Sequence, residues 1–389
     1  MTGPPKPHGG RLVNRVLTDK RSEEMLKEAN EMPKIEVDKG TILDVDKVAI
    51  GAFSPLEGFM KKGDLESVIS NSRLASGLPW TIPIILAPKG IENEKILGTI
   101  KQGDDIVLSC AGKPTAILHL EEKFKFEKKE MIKQIYGTTN PDHPNVKDLY
   151  DRGDVLLGGK IDLIQRVNLS FTQNELTPSE TRGMFKERGW ETIAGYQTRN
   201  PPHMAHEYLQ RCALEIVDGL FVHPVVGKLK KDDFSPEVIL ESYRFLIDNY
   251  YPRERVLLAT LPMEMRYAGP KAAVFLAIIR KNYGCTHFVV GRDIAGTRNY
   301  YDPYSAHEVF EELDLGIEPI LYRESFYCKR CRLVATDKTC GHNIENHLKI
   351  SMTEIRETIR NGVEPPVEVM RPEIAKILMK YNGSTSAIS

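Results

Sequence analysis

No apolar run in this sequence approaches the roughly 20 residues that a helix needs to cross a bilayer. That excludes a helical membrane protein. An excess of one charge sign is lacking as well. Lys and Arg number 53 against 54 Asp and Glu, so nothing in the balance points to nucleic acid or an anionic membrane surface. Met1 to His8 carry no apolar signal core, and a cytoplasmic location is expected. Cysteine is sparse, at six residues. Cys110, Cys212 and Cys285 are scattered in apolar surroundings and read as inert buried thiols. The other three cluster, which in a reducing compartment points to a metal rather than a disulfide. With 389 residues, the chain has length for two or three domains with real cores.

Up to about residue 165 the pattern is that of a separate, β-rich unit. Pro7-His8-Gly9-Gly10 opens it. Strands are expected at Trp80–Leu86, Lys95–Ile100, Asp105–Ser109 and Thr115–Leu120, each short, rich in large apolar residues and bounded by Gly, Pro or charge. Glu121 to Ile135 is charged and helix-like. No chemistry is evident in this unit. Asp154 to Val167, with Gly158-Gly159, is a crossing point between domains. A helix is expected from Pro178 to Arg188, followed by Trp190 as a core residue.

Strands and helices then alternate. Strands fall at 192–197, Leu220–Val226, Arg255–Thr260 and Thr286–Val290, with helices at about 201–217, Pro236–Tyr250 and Pro270–Asn282 between them. Such alternation implies a parallel, doubly wound α/β sheet. Ligands bind in such sheets at the carboxyl ends of the strands.

Gln197-Thr198-Arg199-Asn200-Pro201-Pro202-His203-Met204-Ala205-His206-Glu207 sits at one such end. Asn200 reads as the N-cap, with both prolines in the first turn, where a missing N–H costs least. His203 and His206, spaced i, i+3, would share a face of that turn. A helix start offers free N–H groups and the positive dipole end to an anion, and Arg199 and two imidazoles add donors. A bare His-x-x-His pair is more often structural; the full string at a strand-to-helix junction favours function. Gly227-Lys228-Leu229-Lys230-Lys231-Asp232-Asp233 follows the next strand and reads as a solvated basic loop at the edge where phosphates would sit. Gly291-Arg292-Asp293-Ile294-Ala295-Gly296 follows the fourth. Its glycines allow close backbone approach, and Arg292 offers a fork suited to phosphate or sulfate.

Cys328-Lys329-Arg330-Cys331, then Cys340-Gly341-His342, supplies the Cys₃His set of a closed structural zinc site. His347 is an alternative fourth ligand. A redox Cys-x-x-Cys pair would need neither the third Cys nor the His.

The string Gln-Thr-Arg-Asn-Pro-x-His-x-x-His-Glu resembles the signature of the ATP sulfurylase (sulfate adenylyltransferase) family, related to nucleotidyltransferases with His-x-Gly-His or His-x-x-His pairs. Gly291–Gly296 resembles the family's Gly-Arg-Asp-His-Ala-Gly, with Ile294 where many members have His. Pro7–Gly10, Arg188-Gly189-Trp190, Met265–Pro270 and Arg371-Pro372-Glu373 resemble further family stretches, so the resemblance spans nearly the whole chain, and the cysteine cluster is similar to that of bacterial and archaeal members. It implies a PUA-like N-terminal domain over 1–168, a Rossmann-like nucleotidyltransferase domain over 169–326 and a zinc-binding, helical subdomain over 327–389. It implies that ATP and sulfate give adenosine 5′-phosphosulfate (APS) and pyrophosphate, reversibly, by in-line attack of sulfate on the α-phosphorus.

By resemblance, Gln197 and Arg199 hold sulfate with the Ala295 N–H, which the Ile294 departure leaves available. Thr198, Arg199 and Asn200 line the reaction centre. His203 and His206 donate to the α- and β-phosphates, and Gln197 and Asn200 also border the nucleotide. Gly291, Arg292 and Asp293 bind the nucleotide, with Phe326-Tyr327 against adenine. Mg²⁺ travels with ATP, and a homodimer or larger homo-oligomer is expected, without membrane or nucleic-acid partners. No Gly-x-x-x-x-Gly-Lys-Ser/Thr loop occurs, so the fused product kinase of some relatives is not expected. Two other readings are weighed: a related nucleotidyltransferase with an organic acceptor, and a zinc-stabilised RNA-binding protein, which the near-neutral charge disfavours.

Overall fold

The computed structural model describes residues 3–166, 174–228, 233–296 and 300–382. The first sheet comprises β1 (Lys34–Glu36), β2 (Gly58–Phe59), β3 (Asp105–Cys110), β4 (Lys113–Lys125) and β5 (Val155–Leu163), in the order β1-β3-β4-β5-β2. Pairing is antiparallel except between β1 and β3. Side chains alternate across it as the pleat requires. Ile106, Leu108, Ala116 and Leu118 enter the main core. Val107 and Ile117 point the other way and pack with Met25 of the helix Asp19–Glu28.

Three expectations for this unit need correction. Lys95–Ile100 is no strand; Lys95 to Thr99 lie in a helix, Ile91–Thr99, with Ile100 as its C-cap. Glu92 and Glu94 in its first turn favour that choice, and the Asn93 amide ties it to the Glu36 backbone. Trp80–Leu86 joins the sheet only through a bridge from Leu86 to Leu157, Pro83 having no N–H to offer a ladder. Glu121–Lys125 extends β4, and the helix starts only at Lys128.

The second sheet is parallel throughout. It comprises β6 (Ile193–Thr198), β7 (Gly219–Val226), β8 (Val256–Leu258), β9 (Leu261–Pro262), β10 (His287–Val290) and β11 (Glu318–Leu321). The order is β11-β10-β6-β7-β8, with β9 beside β7. Chain order therefore reverses between β6 and β10, which opens a crevice at their carboxyl ends. The strand expected at Arg255–Thr260 is split into β8 and β9. The edge strand β11 was not anticipated; Glu318 and Pro319 are unusual in a buried strand but suit an edge.

The helix Pro270–Tyr283 is buried nearly all round, as a helix between two layers must be. Phe275 meets Phe53 and Trp80 of the N-terminal unit at 5.1 and 5.5 Å between ring centroids. Asn282 accepts from the His8 N–H and donates to the carbonyls of Ala52 and Ser54, which gives the Pro-His-Gly-Gly stretch a structural role. Trp190 is core, as expected, 6% exposed and stacked on Phe185. Its ring lies so close to Gly219 that a Cβ there would meet it at 2.2 Å.

The third sheet is small and antiparallel: β12 (Phe326–Cys328), β13 (Leu333–Ala335) and β14 (His347–Lys349), in the order β13-β12-β14. The helices Met352–Arg360 and Pro372–Asn382 follow. They pack Ile355, Ile359 and Ile374 against Val238 of the helix Pro236–Tyr250. No described helix is long and apolar enough to cross a membrane.

Candidate active site

A cleft of about 380 Å³ opens at the β6/β10 switch point. Gln197, Thr198, Arg199, Asn200, His203, His206, Gly291, Arg292, Asp293 and Ala295 all line it. Phe326 does not: its ring stacks on His347 at 3.5 Å, and its neighbour Ser325 borders the cleft instead. Of the basic loop, Leu229 to Asp232 lie outside the described residues; exposed Lys228 pairs with Asp148 at 3.4 Å.

The helix after β6 begins later than expected. Asn200 is not its N-cap; His203 is, with φ −129° and ψ 172°, and the helix runs Met204–Leu214. The cause is the proline pair. A residue before proline is driven from the helical region, so neither Asn200 nor Pro201 joins the helix. His203 caps with its ring: Nδ1 accepts from the His206 N–H at 3.3 Å. That assigns the ring proton to Nε2, leaving a donor. The two imidazoles stack 3.6 Å apart. Burial pushes His206 down to about 4 and, with help from His206, His203 well below its ordinary value. Both are neutral at pH 7. His206 Nδ1 is buried without a protein partner, and an orphaned polar atom beside a cleft suits a ligand.

Arg199 is fixed on two sides. Nη2 donates to Asp233 at 2.6 Å, and Nη1 to the Tyr267 hydroxyl. Burial pulls its guanidinium below the ordinary value, against the pull of Asp233. Asn200, released from capping, accepts from Arg356 at 2.6 Å, and Arg356 also lies 3.7 Å from Asp233. Under the first turn, Glu207 takes a bidentate pair from Arg371 at 2.8 and 2.8 Å. Glu207 is 3% exposed, so the glutamate that ends the His-x-x-His-Glu string is an anchor for the C-terminal segment.

On the opposite wall, Asp293 and Ala295 adopt left-handed backbone at φ 55° and 56°, strain typical of a ligand loop. Asp293 N–H donates to Pro303 at 2.7 Å, and the Ala295 carbonyl accepts from Gly269 at 3.2 Å. A Cβ at 296 would meet Asp293 Oδ1 at 2.0 Å, so any side chain there would displace the Asp293 carboxylate. Arg292 reaches Glu324 at 3.4 Å.

Sequence reasoning missed Asp233, Tyr267 and Arg356. The first ended the basic loop and the second lay in the Met-x-Tyr-Ala-Gly-Pro stretch, so both had a signal. Arg356 had none.

Beside the cleft, Cys328, Cys331, Cys340 and His342 gather their ligand atoms within 4.8 Å of one another. His342 Nδ1 lies 3.1 to 3.5 Å from the three sulfurs, and Cys331 and Cys340 are 3.7 Å apart. Four ligands ~2.3 Å from one centre form a tetrahedron with edges of ~3.8 Å, so the set fits a metal ion. His347 is not part of it; its Nε2 bonds to the His342 carbonyl at 2.9 Å.

Comparison with known families turns this geometry into an identity. The family model ATP-sulfurylase matches residues 172–381, and a PUA-like domain model matches 5–166. The chain belongs to the ATP-sulfurylase family. A sulfate adenylyltransferase from Halothermothrix orenii is 46% identical over 96% of this chain and 98% of its own length. Another from Staphylothermus marinus is 48% identical over 97% and 98%. The hexameric APS kinase from Thiobacillus denitrificans superposes with a TM-score of 0.75 at 25% identity, covering 96% of this chain and 68% of that one. As an ATP sulfurylase the chain is a nucleotidyltransferase of sulfur metabolism with sulfate adenylyltransferase activity.

Proposed function

We propose that the cleft joins sulfate to the α-phosphorus of ATP by in-line displacement of pyrophosphate, with each residue in the role that its placement supports. The observation that carries this reading is the convergence of the Gln197–His206 and Gly291–Ala295 segments on one donor-rich cleft.

Sulfate is an anionic nucleophile at neutral pH and needs no general base. The obstacle is repulsion between a dianion and a polyanion, so catalysis is positioning and charge neutralisation. Gln197, Arg199 and the Ala295 N–H hold sulfate. Thr198 and Asn200 line the reaction centre. His203 Nε2–H and the His206 ring donate to α- and β-phosphate oxygens. Gly291, Arg292 and Asp293 hold the nucleotide. Mg²⁺ enters on the ATP phosphates and supplies charge neutralisation there.

The Cys₃His set is proposed to bind zinc as a closed structural site. Its thiols are free of disulfides, which suits a reducing, cytoplasmic setting. A homo-oligomer, at least a dimer, is proposed on the likeness to a hexameric protein.

The test is pyrophosphate release from ATP and Mg²⁺ with sulfate added or withheld, in the wild type and the His203→Ala, His206→Ala double variant. Release is expected to require sulfate and to fall at least about 100-fold in the variant. Release indifferent to sulfate, or equal in both proteins, would sink the reading.

A further inference from the structure

We propose that the PUA-like unit is part of the catalytic apparatus: Asn145 is a positioning residue that fixes Tyr267 and, through it, the Arg199 guanidinium. The last link rests on the reading of Arg199 as a sulfate ligand.

Residues 263–269 join β9 to the helix Pro270–Tyr283 and belong to no ladder. Met263, Met265 and Ala268 are nonetheless buried, so the backbone there needs partners from elsewhere. The N-terminal unit supplies them. Asn145, at the start of the helix Pro144–Tyr150, accepts the Tyr267 N–H at 2.8 Å and donates to the Met265 carbonyl at 3.1 Å. One primary amide thus serves a donor and an acceptor of the same run, as a neighbouring strand would. His143 Nε2 donates to the Tyr267 carbonyl at 2.9 Å. Asp44 holds Arg266, between the two. Tyr301 adds a hydroxyl to the Tyr267 carbonyl at 2.9 Å.

This grip has a direction. Met265 and Tyr267 line the cleft, and the Tyr267 hydroxyl meets Arg199, whose guanidinium carbon lies 5.4 Å from the ring centre. Arg199 is therefore shared between Tyr267 and Asp233. If Tyr267 shifts, the guanidinium is left to Asp233 alone, which draws its charge away from an incoming anion. The effect falls on sulfate, because Arg199 is its proposed ligand and neither His203 and His206 nor Gly291, Arg292 and Asp293, the proposed nucleotide partners, are among the contacts of the Arg199 guanidinium.

The test is a double-mutant cycle on Asn145→Ala and Tyr267→Phe, measuring KM for sulfate, KM for Mg-ATP and Tm in the full chain. Each single change is expected to raise the sulfate KM about tenfold while leaving the ATP KM within about twofold. The double variant should be no worse than the larger single change, because both act through one contact. Asn145→Asp, which keeps the acceptor for Tyr267 and loses the donor to Met265, should fall between wild type and Asn145→Ala. A lowered Tm with an unchanged sulfate KM would reduce Asn145 to an interface contact and overturn the proposal, as would multiplying effects in the double variant. Arg199→Lys separates the two layers. An unchanged sulfate KM there sinks the role of Arg199 itself. A raised KM there with none in Asn145→Ala sinks only the positioning role.

Discussion

Two polar centres lie side by side in this molecule and are built on opposite plans. The Cys₃His cluster draws its ligands from one short stretch, Cys328 to His342, and those ligands face one another. Cys328 and Cys340 raise the Cys331 thiol above its ordinary range, and a cation among the three would relieve that repulsion. The cleft draws on segments from Tyr196 to Ile350. Its charges are already matched within the protein: Arg199 with Asp233, Arg292 with Glu324, Arg323 with Asp337. The first centre is a closed set of ligands that a metal ion fits. The second is held in place by the protein's own ion pairs, which is what a site acting by electrostatics requires.

Removing one ligand should therefore break the cluster as a unit. Cys331→Ser, or a strong chelator, is expected to abolish metal retention and strip amide hydrogen-exchange protection from β12, β13 and β14 together. Stepwise or partial loss would show that the small sheet stands without a metal. Beneath the cleft, at the Arg371–Glu207 pair, the same kind of cut should be bounded. Arg371→Ala strips buried Glu207 of its bidentate partner and leaves it only Arg211, 4.0 Å away, at a cost of about 3 kcal/mol, a Tm lowered by roughly 4 °C. An unchanged Tm would mean that the pair is not what holds the C-terminal segment to the catalytic helix.

The smallest effect is a pH dependence. Burial lowers His206 from 6.5 to about 4, so between these values the unfolded chain binds a proton that the folded one refuses. Stability is full above pH 6.5 and falls as pH drops towards 4, by up to about 1.4 kcal/mol per unit for a single histidine. His203 acts in the same direction. Urea midpoints of His206→Gln should depend less on acid than those of the wild type; parallel curves would remove histidine burial as the cause.

Local chemistry was legible in the sequence, and long-range partnership was not. The Cys₃His spacing, the alternation that yields a parallel sheet and the signature at its strand end could all be read directly, because each is a pattern within a few residues. The helix start was misplaced because the effect of Pro202 on Pro201 was not followed through, although that too is local. Lys95–Ile100 went wrong for a different reason: its apolar residues suit either period, and the contact of Asn93 with β1 decides. Asn145 and Arg356 carry no mark in the chain, and Arg371 only the Arg-Pro-Glu stretch, which does not say what it pairs with. Each matters only through a partner more than 100 positions away, and a single sequence does not display such pairs.

The closeness of Trp190 to Gly219 has a consequence for variation. The ring leaves no room for a methyl group at the first residue of β7, and β7 pairs along its length with β6, which ends at the signature. In a saturation scan, residue 219 should tolerate no replacement unless 190 shrinks with it. A glycine far from any substrate would then score as essential, and a paired library at 190 and 219 would recover function in combinations that neither position allows alone.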